Sequence, residues 1–99
     1  MPVKAPTKQL IAGMLGDSGS ADGDVRWMDF VAAMVDAGCS VVPKGGSIYK
    51  FTDLKLSGGA IDVHRPHPDP VISPLLLRAI GHRVRKWFGW EMELFVERE

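Results

Sequence analysis

The sequence predicts an α+β fold: a helix, a three-stranded antiparallel sheet and a second helix, with a short helix ahead of them and an extra edge strand after them. Three observations carry that expectation. Trp27, Phe30, Val31, Met34 and Val35 recur at the spacing of one helical stripe. Ser40 to Val42, Ile48 to Thr52 and Ala60 to His64 are β-rich runs separated by glycine-containing turns. Ser73-Pro74 then offers an N-cap followed by a proline at the first helical position, and the amphipathic stretch behind it reaches Phe88.

Along the chain, Thr7 to Leu15 forms the short helix, with Leu10, Ile11, Met14 and Leu15 on one side and Gly16 as its stop. Gly16 to Gly23 is almost wholly Gly, Ser, Asp and Ala, so it buries no apolar surface and reads as a mobile connection. Residues 1–23 are thus a short helix and linker, and residues 24–99 the main domain. A phosphate-binding loop is the alternative for the linker, but it lacks both the Gly-Lys-Ser/Thr ending and a preceding apolar strand. Asp24 as N-cap and Gly38 just past the end place the first long helix at Val25 to Ala37, its stripe in the core. In the third strand alternation turns Ile61 and Val63 to one face and Asp62 and His64 to the other, so His64 faces away from the core. At about 100° per residue the last helix gathers Leu76, Leu77, Ile80, Val84, Trp87 and Phe88 in one arc, with Arg78, His82, Arg85 and Lys86 opposite. Met92, Leu94 and Val96 alternate with charged or aromatic residues, which suits a short edge strand.

Ninety-nine residues with 45% hydrophobic content suit one domain around one core. Twelve basic residues offset twelve acidic ones, so any attraction to a polyanion must come from local asymmetry. That asymmetry exists: no acid lies between Val71 and Trp90, where Arg78, Arg83, Arg85 and Lys86 fall, while acids gather at Asp17 to Asp36 and at Glu91 to Glu99. The single Cys39 excludes an internal disulfide and any Cys-x-x-Cys motif. No apolar run is long enough to span a bilayer, and Met1 to Lys8 is polar and proline-broken rather than signal-like. The expectation is an intracellular protein, cytoplasmic or nuclear, without membrane attachment and without a cofactor.

Chemistry concentrates in His64-Arg65-Pro66-His67-Pro68, where the strand ends and proline stiffens the backbone. As metal ligands the two imidazoles need further donors; His82, Asp62, Asp69 and Cys39 are available, but none repeats a known ligand spacing, and no metal is expected. As an acid and base acting on RNA they suit the task, because a free imidazole titrates near neutrality. As a plain stiff turn, His67-Pro68-Asp69-Pro70 holds an imidazole that caps a backbone group or stacks on a ring. Arg65 and His64 would make a positive patch with the basic helix if these elements pack side by side, although a solvated basic face is also ordinary. Gly45-Gly46-Ser47 feeds a strand rather than a helix, which favours a hairpin turn over a phosphate cradle. Trp87, Phe88 and Trp90 suggest a base-stacking platform, but Trp87 and Phe88 fall on the core arc and only Trp90 stays open.

The order helix, three antiparallel strands, helix is that of the double-stranded-RNA-binding-like fold, and the residues resemble the HicA-like domains, the toxin family of bacterial toxin–antitoxin pairs. The matching residues are Gly46-Ser47 opening the second strand, the third strand ending in His64-Arg65-Pro66-His67-Pro68, and Leu77-Arg78-Ala79-Ile80 in the last helix, within residues 24–90. HicA-like segments of fungal proteins are more similar still, in Trp27, Asp29, Phe30, Ala33 and Met34, then Phe51-Thr52, then His64 and Pro66-His67-Pro68, then Gly81, Arg83 and Phe88-Gly89-Trp90.

The resemblance implies a small RNA-cleaving protein whose essential histidine follows the Gly-Ser of the second strand. That position is Ile48, which can neither transfer a proton nor bind phosphate. The expectation is therefore a catalytically silent module binding RNA or another polyanion. Its contacts would be Arg65, Arg78, His82, Arg85 and Lys86, with Lys44 and Ser47 from the first hairpin. A ribonuclease with a relocated pair, His64 and His67, is the enzymatic alternative. The other is a protein-interaction module that recruits an antitoxin-like partner, or the rest of a longer chain, through an exposed edge strand at the C-terminal segment.

Overall fold

A computed structural model describes residues 1–16 and 23–98. The elements run β1 (Pro2–Val3), α1 (Ala5–Met14), β2 (Val25–Arg26), α2 (Trp27–Asp36), β3 (Cys39–Gly45), β4 (Ile48–Asp53), β5 (Ala60–His64), β6 (Val71–Ile72), α3 (Pro74–Phe88), a 3-10 turn (Met92–Leu94) and β7 (Val96–Glu97). The expected α+β class is present, with α2, the antiparallel sheet β3-β4-β5 and α3 in that order. The linker expected between α1 and α2 lies, from residue 17 to residue 22, outside the described residues.

Strand alternation builds the core. Val41, Phe51 and Ile61 are cross-strand partners on the inner face, and Phe51 at their centre is fully buried. The outer face presents Val42, Lys50 and His64 to solvent. Over the inner face α2 packs on β3 and α3 on β5, and α1 lies against both helices. Trp27, Phe30 and Phe51 close the middle with ring centroids 5.2–5.9 Å apart.

Helix boundaries differ from the periodicity at both long helices. Val25 and Arg26, expected inside the first long helix, pair antiparallel with Val71 and Ile72. Asp24 is not the cap; extended Arg26 holds that position without a side-chain bond, and the Trp27 N–H donates to the Pro70 carbonyl at 2.8 Å. Long-range pairing supplied a partner that local sequence does not show. The buried stripe is narrower than expected, with Ala33 inside and Val35 53% exposed. The short helix starts at Ala5 rather than Thr7, because Pro6 sits in the first turn, where its missing N–H is not needed.

Ser73 caps α3 as expected, its Oγ accepting from the Leu76 N–H at 3.2 Å, with Pro74 next. Leu76 and Trp87, expected in the core arc, are 39% and 57% exposed. The arc has turned toward Gly81, which is buried against the Met14 carbonyl of α1 with no space for a side chain. Leu76 and Trp87 are left on the opposite flank. The expected C-terminal edge strand does not extend the main sheet: Met92–Leu94 is a 3-10 turn, and Val96–Glu97 pairs in parallel with Pro2–Val3. This pairing draws the ends of the described chain together over buried Val3, Trp90 and Phe95.

Candidate functional site

The candidate residues divide between two faces. Ile61 and Val63 point inward on β5, so Asp62 and His64 lie on the outer face, away from the helices. The single patch expected from His64 and the basic helix is therefore two surfaces, because the sheet stands between them.

The outer surface gathers at one end of the sheet. His64 is the direct cross-strand partner of Ile48, a relation that brings Cβ atoms to about 5 Å. Lys50 faces Asp62 in the same register, and Lys44 Nζ reaches Asp62 Oδ2 at 3.0 Å. The Arg65 N–H donates to the Ser47 carbonyl at 2.7 Å, which ties the hairpin tip to the end of β5. Lys44, Ser47, His64 and Arg65 are thus brought together, with Lys44 already paired. His67 follows in the exposed segment before β6. Among the described residues no carboxylate pairs with either imidazole, so neither has the orienting partner a catalytic histidine commonly uses.

The helical surface is a stripe. Arg78, His82 and Lys86 stand at i, i+4 and i+8 on α3 and all are exposed. None pairs with a carboxylate among the described residues; Lys86 Nζ instead sits 5.4 Å from the centre of the Trp87 ring. Arg85, expected in the same set, is withdrawn from it. Its Nη1 donates to the Leu15 carbonyl at 2.6 Å and its Nη2 to Glu91 at 3.2 Å, because it lies on the flank beside Gly81 that faces the end of α1. It staples two helices together.

Trp90 is not a stacking platform. It is fully buried between Phe88 and Phe95, at centroid distances of 5.3 and 5.0 Å, and its Nε1 donates to Asp53 Oδ2 at 3.1 Å. The exposed aromatic of this segment is Trp87. Asp53, which belongs to none of the sequence motifs, is the polar centre of the domain. It is fully buried and accepts from the amides of Lys55, Leu56 and Ser57, from Ser57 Oγ and from Trp90. Burial pushes its carboxyl up, but the bonds from Ser57, Trp90 and Leu56 outweigh that and hold it below the ordinary carboxylate range. An aspartate at a strand end, four residues before Ser57-Gly58-Gly59, was the signal for this turn.

Cys39 is buried, and that burial, with the Asp53 charge second, pushes its thiol up to about 12. Among the described residues no three of His, Cys, Asp and Glu gather as a metal would need. A cavity of about 590 Å³ opens between α1 and α2, lined by Thr7, Leu10, Asp29 and Asp36 among others, and it includes neither His64 nor the α3 stripe. No described helix is long and apolar enough to cross a membrane. No protein-family model, curated protein or solved structure matches the chain.

Proposed function

We propose that the protein is a HicA-like module without the family's catalytic histidine, which binds RNA or another polyanion through the Arg78, His82 and Lys86 stripe of α3. The observation that carries this reading is the absence of any carboxylate partner for these three exposed side chains among the described residues, on a helix without an acid. Ile48 in the position of the family's histidine supports binding over cleavage. Arg83 lies on the other flank of α3 and Arg65 at the end of the sheet, so neither belongs to this stripe, and Arg85 serves the packing of α3 on α1. Gel-shift titration with single- and double-stranded RNA at two salt concentrations tests the proposal. The two phosphate contacts of Arg78 and Lys86 give a slope of log K on log salt of roughly −1.4 for a single strand. No retention of any nucleic acid at low salt ends it.

The register favours a second reading, ribonuclease activity. His64 stands directly across from position 48 on the same face, so a side chain able to act as acid or base lies one strand away from where the family holds its own. His67 would be its partner. In this reading the His64→Ala, His67→Ala double variant loses cleavage of a single-stranded RNA that the parent cleaves, and undiminished cleavage by that variant rejects it.

A further inference from the structure

The free edge of β5 has a defined hydrogen-bond pattern. The Asp53 N–H donates to the Gly59 carbonyl, and the Arg65 N–H to the Ser47 carbonyl, so the odd-numbered residues of this strand bond to β4. The N–H and C=O groups of Ala60, Asp62 and His64 then point the other way. Among the described residues no strand lies on that side, and none of these groups has a partner. An unpaired row of this kind is a template for one more strand.

What lies above that edge is apolar and unexpectedly exposed. Helix α3 packs on β5, and the Trp87 carbonyl touches Gly59 at the start of the strand. The opposite flank of α3 is occupied by α1 at Gly81. Leu76 and Trp87, eleven residues apart, fall within about 20° of each other on the flank away from α1, about 16 Å apart along the helix. That length matches about five residues of strand, the length of β5. The surroundings are cationic: Arg83 is exposed on the same flank, and on the outer face Lys44 and Lys50 outnumber Asp62, which Lys44 already holds at 3.0 Å.

We infer that the β5 edge and the Leu76–Trp87 flank form a docking groove for an extended segment of a partner protein in which apolar residues alternate with acidic ones. Main-chain bonds to Ala60, Asp62 and His64 would add it as a fourth strand of the sheet. Its apolar side chains would cover Leu76 and Trp87, and its carboxylates would lie toward the cationic outer face. The groove borders the Arg78, His82, Lys86 stripe only at Lys86, whose Nζ lies 5.4 Å from the centre of the Trp87 ring.

The probe is a blocked eight-residue peptide alternating Val and Glu, titrated into the labelled protein and followed by NMR. The expected result is perturbation and slowed exchange of the Ala60, Asp62 and His64 amides, with about tenfold weaker binding for Trp87→Glu, for a Val–Lys peptide and for the same peptide N-methylated at alternate residues. Unmoved β5 amides at millimolar peptide overturn the inference, as does equal binding of the N-methylated peptide. Light scattering on the free protein adds a further check. A dimer whose β5 amides are already protected would mean that a second copy, and not an acidic partner segment, fills the groove.

Discussion

At the residue scale, Asp53 shows how one buried carboxylate can organise a region without a cation. Its bonds come from the amides of the turn that follows it, from Ser57 Oγ and from Trp90, so removing it strands several donors at once. Asp53→Ala is expected to lower stability by about 2–4 kcal/mol, and Trp90→Phe, which removes one donor, by about 1–2 kcal/mol. Urea unfolding of both variants and of the double variant checks this, since the shared bond makes the two losses less than additive. The same bonds set a pH dependence. Asp53 is held below its ordinary range despite burial, and so is Asp36, which the Lys4 amide, Thr7 and Arg98 hold against burial. The unfolded chain therefore binds these protons more tightly than the folded one. Their contribution is complete above about pH 4 and is lost as pH falls through the lowered values. Asp53→Asn is expected to flatten the acid limb of the urea midpoint against pH; an unchanged limb would remove Asp53 from the account.

At the element scale, α3 was legible in the sequence because its start is local chemistry: Ser73 and Pro74 act within one turn, and Ser73 Oγ does accept from Leu76 N–H. Strand alternation in β5 was legible for the same reason, with Ile61 and Val63 buried and His64 exposed. What the sequence concealed depends on distant partners. The start of α2 moved because Val25 and Arg26 found β6, and the core arc of α3 turned because Gly81 admits the backbone of α1. Trp90 read as an open aromatic because its acceptor, Asp53, stands 37 residues away. Arg85 read as part of a basic face for the same reason, since the Leu15 carbonyl lies 70 residues away. Gly81→Ala tests the α1–α3 contact directly. In an isolated helix that change gains about 1 kcal/mol. Here the new Cβ would overlap the Met14 carbonyl, a backbone atom that cannot swing aside, so a net loss of about 1–3 kcal/mol is expected. Thermal unfolding decides it, and a raised Tm would show that α1 can withdraw freely.

At the scale of the whole molecule, net charge conceals two basic surfaces that the sheet separates. One is the α3 stripe of Arg78, His82 and Lys86; the other is the outer sheet face with Lys44, Lys50 and His64, where Asp62 neutralises part of the charge. A polyanion drawn to total charge would use both, and one drawn to unpaired charge would use the helix. The proposed function makes the second choice, so the two surfaces can be set against each other in matched variants. Arg78→Gln with Lys86→Gln removes two unpaired cations and leaves the buried arc of Leu77, Ile80, Gly81, Val84 and Phe88 untouched. Lys44→Gln with Lys50→Gln removes the same charge from the sheet face. For single-stranded RNA the helix variant is expected to lose affinity at low salt and to reduce the salt slope by roughly 1.4, two contacts' worth, while the sheet variant keeps the parent slope. If the sheet variant instead carries the loss, the polyanion lies across the outer face beside His64 and position 48, and the ribonuclease reading becomes the one to pursue.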